Sequence, residues 1–416
     1  MAKKPTTTIR IDLSVKEKAN AVFDEIGITL STAVNSFLKK VVAEGRIPFD
    51  INLKNQNLKM PSKNATLNMA FINKKDEFYT LYEDIEKEIE FYKDKLKNKV
   101  VLCNCDDPFE SSFFKYFVNN FERLQLKTLI STCYKKSSFS GSEYPLEGSK
   151  DAYKAIVKRV PSHSLNMPDG SLDLASLFEI KENSLERLDN DGDFRDEECL
   201  HLLEQSDVVV TNPPFSLFRE YISCLISKKK KFIILGNINA ITYKEVFPLF
   251  KDNKVWLGET ITSGDRKFYV PQDYPLNATN CGIDKNGKRF IRVKGVRWFT
   301  NLDIPRRHNQ IDLKELFSIE KYPKYDNYDA IEVNKTLDIP KDYDGIMGVP
   351  ITFIDKYSPE QFEMIMLANG NARTNVPKET LAKVKYKINS EDRGGVPILE
   401  GDRTYARIMI KRKNNE

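Results

Sequence analysis

A run of valines that ends at two prolines constrains this chain more than any other stretch. It occupies residues 207 to 215, with the sequence DVVVTNPPF. Three consecutive β-branched residues favour a buried strand, covered on both faces as in a parallel sheet. The strand must end at Pro213 and Pro214, since proline cannot donate a hydrogen bond to a neighbouring strand. Asn212 is therefore expected at the carboxyl edge of the sheet, where ligands bind in open α/β folds.

The residues at this strand end suit chemistry on a planar amine. The exocyclic amine of adenine is a poor nucleophile because its lone pair is delocalised into the ring. The side-chain oxygen of Asn212 and the carbonyl of Pro213 can both accept hydrogen bonds from such an amine and orient its lone pair. Phe215 offers a face on which a flat ring can stack. The alternative interpretation is an ordinary strand followed by a Pro-Pro turn.

Length and composition limit the class of protein. The chain has 416 residues, enough for two or three domains, and its 40% hydrophobic and 30% charged content is typical of globular proteins. No apolar run is long enough to span a membrane and no apolar signal core follows Lys3 and Lys4, so we expect a cytoplasmic protein. The net charge of +5 permits nucleic-acid binding through local patches. The six scattered cysteines form no pair of C-x-x-C units, which predicts reduced thiols and no metal site.

The first fifty residues have the pattern of a small separate module. A short alternating stretch from residue 6 to residue 12 predicts a strand, and two helices follow that begin at Ser14 and Ser31. One strand and two helices cannot bury their apolar faces alone, so we expect a second copy to pair with them. This ribbon-helix-helix pattern resembles antitoxins of the RelB/DinJ family, which implies a dimer whose ribbon enters the DNA major groove. The outward residues would be Thr6, Thr8 and Arg10; the alternative is a module that only dimerises.

A second apolar strand, which also ends at polar residues and a proline, precedes the valine strand. It begins at Lys99 and leads into residues 104 to 108, and it follows a charged helix predicted at 81–95. A helix at 111–124 and a strand at 127–134 come next, which predicts a right-handed parallel unit. The phenylalanines of that helix are predicted to be core. Further expectations are an insertion at 135–180 with a strand at 152–160, and helices at 195–205 and 216–227 on either side of the valine strand.

Together these segments resemble the EcoRI-type adenine-specific DNA methyltransferase family. The resemblance covers residues 71 to 416 and is carried by residues 101–108, 192–195, 207–221, 297–303 and 350–357. It implies a three-layer, Rossmann-like α/β core that uses S-adenosylmethionine, with a target-recognition region after it. The activity that it implies is methyl transfer to N6 of an adenine flipped out of duplex DNA.

The resemblance also implies roles for individual residues. Phe78, Tyr79 and Thr80 match the segment beside the methionine part of the cofactor. The turn that holds the cofactor is matched by Cys105, Asp106, Asp107 and Pro108. Asp193 and Phe194 match the segment near the cofactor adenine, and the catalytic tetrapeptide is matched by Asn212, Pro213, Pro214 and Phe215. The chain departs from most methyltransferases in lacking a glycine-rich turn after the first strand, and it has no acid at residues 132–134 to bind the ribose.

The C-terminal third contains candidate DNA contacts. Strands are predicted at 256–258, 267–271 and 289–299, whereas 322–343 is predicted to be loop. Phe268 or Tyr269 is a candidate second wall around an extruded base, with packing in the core as the alternative. Basic residues along one predicted strand face, and a basic pair after it, are candidate phosphate contacts, with ordinary solvated residues as the alternative. They are Arg292, Lys294, Arg297, Arg306 and Arg307.

Four parts are therefore expected: a ribbon-helix-helix module at 1–52, a linker at 53–70, a catalytic core at 71–299 and a target-recognition region at 300–416. The expected partners are double-stranded DNA and a second copy of the chain, with a cognate restriction endonuclease or a toxin as further candidates. Two alternatives stay open. One is methylation of RNA or of a protein glutamine, and the other is a catalytically inactive, antitoxin-like or repressor-like DNA-binding protein.

Overall fold

The computed structural model describes residues 80–105, 107, 111–134, 152–161, 165–166, 172–270, 276, 281–285 and 287–413, together with Val34 and Val42. The chain separates into two compact units, Met1–Pro61 and Ser62–Glu416. Val34 and Val42 are helical, within the second helix predicted for the N-terminal module. The rest of that module and the predicted linker lie outside the described residues. So do several predicted site residues: Thr6, Thr8, Arg10, Phe78, Tyr79, Asp106 and Pro108.

An eight-stranded sheet forms the centre of the second unit, in the order β4-β3-β2-β1-β5-β6-β11-β7. The four central strands are parallel, and the strands on both sides of them are antiparallel to their neighbours. The predicted parallel strand-helix-strand unit is confirmed by β1 and β2. The strands are β1 (Val100–Cys103), β2 (Thr128–Thr132), β3 (Tyr153–Val157), β4 (Ser184–Arg187), β5 (Val208–Thr211), β6 (Lys231–Asn237), β7 (Trp256–Leu257) and β11 (Val296–Thr300).

Helices cover both faces of this sheet. On one face Val208 and Val210 share a hydrophobic core with α1 and α3, and on the other face Val209 shares a core with α5 and α6. The coverage of both faces predicted from the valine run is therefore present, as is the three-layer arrangement that the family resemblance implies. The helices are α1 (Tyr82–Ile89), α2 (Lys93–Leu96), α3 (Ser112–Asn119), α4 (Leu174–Phe178), α5 (Glu197–Gln205), α6 (Phe218–Ser227) and α7 (Phe247–Lys251).

The helices predicted for the described part of the second unit are confirmed with one adjustment. The helix expected at 81–95 is divided into α1 and α2 by a 3-10 turn at Glu90–Tyr92. Ser111 caps α3, where its side chain accepts a hydrogen bond from the Phe113 amide at 3.0 Å. The phenylalanines of α3 are core as predicted, and Phe113 packs edge-on against Trp298 at 6.0 Å between ring centroids.

Two predictions about strands were wrong in part. The strand expected at 152–160 exists as β3, but with β4 it extends the sheet, so this part of the predicted insertion belongs to the core. The single strand expected at 289–299 is two strands, because Gly295 has a left-handed backbone (φ +76°) between them. The first of the two, β10 (Arg289–Lys294), pairs with β8 (Asp265–Tyr269) and β9 (Cys281–Ile283) in a separate three-stranded sheet.

The C-terminal region contains a four-stranded sheet in the order β12-β13-β17-β14. Its Met347, Val349 and Phe353 share the hydrophobic core of Val209. The loop predicted at 322–343 contains β12, whose three residues are too few to show an alternating pattern in the sequence. The elements are β12 (Ala330–Glu332), β13 (Ile346–Pro350), β14 (Phe362–Ala368), α8 (Ala372–Asn375), α9 (Lys378–Lys383), β15 (Ile398–Leu399), β16 (Asp402–Arg403) and β17 (Arg407–Arg412).

None of the helices in the described ranges has the length and hydrophobicity needed to cross a lipid bilayer.

Candidate active site

The carboxyl ends of three neighbouring strands meet at one edge of the eight-stranded sheet. β1 lies between β2 and β5, and all three are parallel, with Val101 paired to Leu129 on one side and to Val208 on the other. Asn104 follows β1, Cys133 follows β2 and Asn212 follows β5. The predicted position of Asn212 at the carboxyl edge is confirmed, and it is the position at which open α/β sheets bind ligands.

The tetrapeptide of residues 212–215 is held by the sheet on one side and a helix on the other. Asn212 is 7% exposed and Pro213 is buried, whereas Pro214 and Phe215 are half-buried. The Leu217 amide donates to the Pro214 carbonyl at 3.0 Å, which closes a 3-10 turn that runs directly into α6. The Phe215 ring therefore keeps an accessible part, beside an amide and a carbonyl whose backbone has little freedom.

The turn after β1 is braced by β3. Asp107 is buried, and the Tyr153 hydroxyl donates to its Oδ1 at 2.6 Å. Cys105, two residues earlier, is half-buried. One oxygen of the Asp107 carboxylate is thus bonded to Tyr153, and this contact fixes the position of Asp107 in the turn.

Three distant segments meet at Asn104. The Tyr221 hydroxyl, from α6, donates to Asn104 Oδ1. The Phe194 ring, 6% exposed, packs edge-on against the Tyr221 ring with 5.0 Å between centroids. The end of the first strand, the segment expected near the cofactor adenine and the helix after the tetrapeptide are therefore in contact. Neither Asn104 nor Tyr221 was predicted as a site residue, although a polar residue at the end of an apolar strand was a usable signal.

The segment around Asp193 lies against the end of β2. Gly192 has φ +78°, and a β-carbon there would stand 2.2 Å from the Cys133 carbonyl oxygen, so only glycine fits. The Asp193 carboxylate accepts hydrogen bonds from Arg195 Nε at 2.8 Å and Nη2 at 2.6 Å, and Arg195 also contacts Glu220 at 2.7 Å. Asp193 therefore connects its loop to α6, while Phe194 points into the core.

Three buried polar atoms have no hydrogen-bonding partner in the described part of the protein; they lie at the ends of β1 and β2 and in the segment expected beside the methionine part of the cofactor. They are Thr80 Oγ1, Asn104 Nδ2 and Thr132 Oγ1, in residues that are 5%, 4% and 1% exposed. Buried polar groups are nearly always hydrogen-bonded in folded proteins, so such atoms indicate a place for a ligand. Hydrogen-bonding groups beside an aromatic ring fit S-adenosylmethionine, which has a carboxylate, ribose oxygens and a flat base.

The candidate phosphate contacts divide into exposed and buried residues. Arg292 and Lys294 are exposed on β10, and Arg292 contacts Asp265 at 3.2 Å. The prediction for Arg297 was wrong: it is 4% exposed and bonded to Asp355, because the chain enters a different sheet after Gly295 and the alternation restarts.

The basic pair after β11 is also directed into the protein. Arg306 donates to the Gly258 carbonyl at 2.7 Å, and its side chain is 17% exposed. Arg307 lies over the Trp256 ring at 3.8 Å, with a side chain that is 16% exposed. These contacts correct the prediction that the pair lies on a solvated, phosphate-binding surface.

The two aromatic candidates for a base-contacting wall differ in burial. Phe268 is 2% exposed and belongs to the hydrophobic core, which is the alternative that the sequence left open. Tyr269 is half-buried, and its hydroxyl donates to Asp284 Oδ2 at 2.9 Å. Of the two, only Tyr269 keeps an accessible ring.

Comparison with known proteins identifies two families along the chain. The family described as "Adenine-specific methyltransferase EcoRI" matches residues 66–413, and the family described as "RelB antitoxin" matches residues 6–67. The two matches meet at residues 66–67. The first one covers the second compact unit and contains the whole of the site described above.

The alignments with three relatives cover nearly the full length of each relative. The Type II methyltransferase M.EcoRI of Escherichia coli is 49% identical over 316 residues, which is 74% of this chain and 92% of the relative. M.MpnI of Mycoplasma pneumoniae is 38% identical over 84% of this chain and 98% of the relative. M.MgeORF184P of Mycoplasma genitalium is 37% identical over 83% of this chain and 98% of the relative. No solved structure matches. The chain belongs to the adenine-specific methyltransferase EcoRI family, and it is an adenine-specific DNA methyltransferase that carries a RelB-like N-terminal segment.

Proposed function

We propose that this enzyme methylates N6 of an adenine that is flipped out of duplex DNA at a short recognition sequence, and that residues 212–215 carry the reaction. The observation that supports this most is the location of Asn212: buried, at the carboxyl end of a parallel strand, next to the end of β1. The family uses S-adenosylmethionine, and bound S-adenosylmethionine supplies the methyl group on a positively charged sulfur.

The residues of the tetrapeptide act by position and hydrogen bonding. Asn212 Oδ1 and the Pro213 carbonyl accept the two hydrogens of the adenine amine and favour the geometry in which its lone pair points at the methyl group. Phe215 stacks on the extruded base, for which its half-buried ring is available. Pro214 keeps the preceding carbonyl in place because its ring restricts the backbone.

The cofactor-binding residues are proposed from the edge of the sheet. Cys105 and Asp107 follow β1 at this edge, and the buried Phe194 supplies an aromatic neighbour. Thr80 is proposed with Phe78, Tyr79, Asp106 and Pro108 from the family resemblance. Asp193 holds the loop on which Phe194 lies, through its contacts to Arg195. The DNA phosphates are contacted by the exposed residues Arg292 and Lys294. Tyr269 lies on the neighbouring β8, opposite Phe290.

The N-terminal segment is proposed to make the enzyme a dimer. Its match to the RelB antitoxin family and its ribbon-helix-helix pattern support pairing of two copies, with Thr6, Thr8 and Arg10 toward DNA. We also propose a cytoplasmic location and the four-part division at residues 52, 70 and 299, with the last boundary moved to Thr300, where β11 ends. A restriction endonuclease with the same recognition sequence and a toxin that binds the N-terminal segment are the proposed protein partners.

Methylome sequencing of a host that expresses the chain tests the proposed activity. We expect N6-methyladenine at one recurring short sequence, and none with Asn212→Ala. Asn301→Ala is the matched control, because Asn301 lies at the opposite edge of the sheet. Its side chain accepts a hydrogen bond from the Phe232 amide at 3.0 Å and donates one to the Lys230 carbonyl at 2.8 Å. It should keep the wild-type methylation pattern.

Other outcomes separate the alternatives. Wild-type methylation by Asn212→Ala would contradict the role of the tetrapeptide. Competition between duplex DNA, RNA and protein for methyl-labelled cofactor identifies the substrate, and label in RNA or in glutamine would contradict the DNA proposal. A chain that binds DNA but not the cofactor would be an inactive DNA-binding protein.

A further inference from the structure

We propose that Asn104 and Thr132 form a hydrogen-bonding pair that binds S-adenosylmethionine, and that Tyr221 is a positioning residue that turns the Asn104 amide toward it. The proposal deepens the proposed function and rests on it for the identity of the ligand. It assigns this task to residues that the sequence did not single out.

The two side chains lie next to each other on one face of the sheet. β1 and β2 are paired in register, with Leu102 opposite Ile130 and Cys103 opposite Ser131. The same register continued by one residue places Asn104, the first residue after β1, opposite Thr132, the last residue of β2. Leu102 and Ile130 belong to the same core as Phe194 and Tyr221. Because side chains alternate between faces along a strand, Thr132 lies on that face too. Asn104 is on the same face because the Tyr221 hydroxyl contacts its side chain.

Both side chains are buried with a free hydrogen-bonding atom. Asn104 is 4% exposed and Thr132 is 1% exposed, and neither Asn104 Nδ2 nor Thr132 Oγ1 has a partner in the described part of the chain. The neighbouring Ser131, on the opposite face, differs: its hydroxyl donates to the Cys103 carbonyl at 3.1 Å. The protein thus provides a hydrogen-bond acceptor for the Ser131 hydroxyl, whereas Asn104 Nδ2 and Thr132 Oγ1 are left to hydrogen-bond with a ligand.

Tyr221 determines which end of the Asn104 amide is available. Its hydroxyl donates to Asn104 Oδ1, so the Nδ2 end, a donor, is left for a ligand oxygen. The Tyr221 ring is 1% exposed and is held edge-on by Phe194. Tyr221 lies on α6, the helix that the tetrapeptide leads into, so the same helix supports both the cofactor contact and the reacting strand end.

The chemistry of the pair selects the ligand class. An amide N–H and a hydroxyl side by side match neighbouring oxygen acceptors, as in the ribose or the carboxylate of S-adenosylmethionine. S-adenosylhomocysteine keeps all of these oxygens and cannot react, so its binding reports on the contacts without turnover.

Calorimetric titration of the full-length protein with S-adenosylhomocysteine tests the pair. We expect Asn104→Ala and Thr132→Val each to weaken binding roughly tenfold, as for the loss of one buried hydrogen bond. Ser131→Ala is the matched control, and it should bind as the wild type does. Thr132→Val preserves shape, so it keeps the test valid if Asn104→Ala does not fold.

Thermal unfolding without ligand separates a binding role from a structural one. Thr132→Val should leave the melting temperature unchanged or raise it, because it removes a buried hydroxyl that has no partner. Ser131→Ala should lower the melting temperature, because its hydroxyl is bonded within the protein. A lower melting temperature for Thr132→Val, with unchanged ligand binding, would overturn the proposal.

The role of Tyr221 is tested by a double-mutant cycle. Tyr221→Phe should weaken S-adenosylhomocysteine binding in the wild-type background and have little further effect in Asn104→Ala. The reason is that Asn104→Ala removes the N–H group, whereas Tyr221→Phe removes only the hydrogen bond that orients it. Strictly additive effects would overturn the positioning role. Unchanged binding in the single variants, with a wild type that binds and methylates DNA, would overturn this proposal alone. A wild type that binds no S-adenosylhomocysteine would overturn the proposed function as well.

Discussion

Arg297 and Asp355 form a two-point ion pair, with 2.7 Å from Nε to Oδ1 and 2.9 Å from Nη2 to Oδ2. The two side chains are 5% and 10% exposed. Arg297 lies on β11 of the eight-stranded sheet, and Asp355 lies in the 3-10 helix Ile351–Lys356 after β13 of the four-stranded sheet. The pair therefore joins the two sheets, and it connects two of the segments that carry the family resemblance.

We predict that Asp355→Ala lowers the free energy of unfolding by about 3–5 kcal/mol, because it leaves the Arg297 guanidinium buried without a counter-charge. Urea denaturation followed by circular dichroism measures the change. Glu363→Ala is the control, since the Glu363–Lys383 pair has a similar distance of 2.8 Å but is about half exposed. Equal, small losses in both variants would contradict a connecting role for Arg297 and Asp355.

Gly192→Ala is predicted to destabilise the protein more than Gly264→Ala does. Both glycines have nearly the same left-handed backbone, φ +78° and +79°, but only at Gly192 would a β-carbon collide with main chain. Gly264→Ala should cost about 1–2 kcal/mol, the conformational penalty alone. Gly192→Ala should cost more and should also weaken S-adenosylhomocysteine binding, because it pushes Asp193 and Phe194 away from the end of β2. Urea denaturation and calorimetry give the two quantities, and indistinguishable variants would refute the prediction.

His308 should make stability depend on pH. Hydrogen bonds to the Glu360 and Asp303 carboxylates raise the pKa of His308 above its ordinary value, with N–O distances of 2.9 and 2.8 Å. The unfolded-state pKa of His308 is about 6.5, and the folded-state pKa is higher, so the folded protein binds the His308 proton more tightly than the unfolded chain does. The stabilisation by protonated His308 is therefore complete when the pH is below the unfolded-state pKa, and it is lost as the pH rises through the folded-state pKa.

We predict that His308→Gln reduces the free energy of unfolding in mild acid and makes no difference in alkali. The difference should stay below about 1 kcal/mol, because the three side chains are about half exposed and water screens them. Denaturation curves across this pH range measure it, and Glu360→Gln should flatten the same pH dependence. A difference that grows with pH would have the wrong sign for this mechanism.

Removal of residues 1–65 is predicted to keep methyl transfer and to abolish dimer formation. The methyltransferase family match begins at residue 66, and the relatives align over 92–98% of their own length with 74–84% of this chain. Initial rates on a short duplex should equal those of the full chain. Light scattering after size-exclusion chromatography should give a dimer for the full chain and a monomer for the shortened one. A shortened chain that is inactive, or that is still a dimer, would count against a separable N-terminal module.

Local sequence determined the parts of this protein that depend on a few neighbouring residues. The buried β5, its end before Pro213 and the position of Asn212 follow from β-branched side chains and from prolines that cannot donate hydrogen bonds. The aromatic face of α3 follows from helical periodicity. These rules act within one element, so they hold before the elements are assembled.

Only the tertiary structure decided which face, direction and partner each element has. Arg297 belongs to an apparently regular basic strand, and the turn at Gly295 places it in a different sheet, in a buried ion pair. β3 was expected as a strand from the sequence, but its antiparallel direction depends on its pairing with β2. Asn104 and Tyr221 are 117 residues apart, and their contact exists because α6 packs against the face of the sheet at the end of β1. Register and burial are set by contacts between distant segments, and no pattern within one segment contains them.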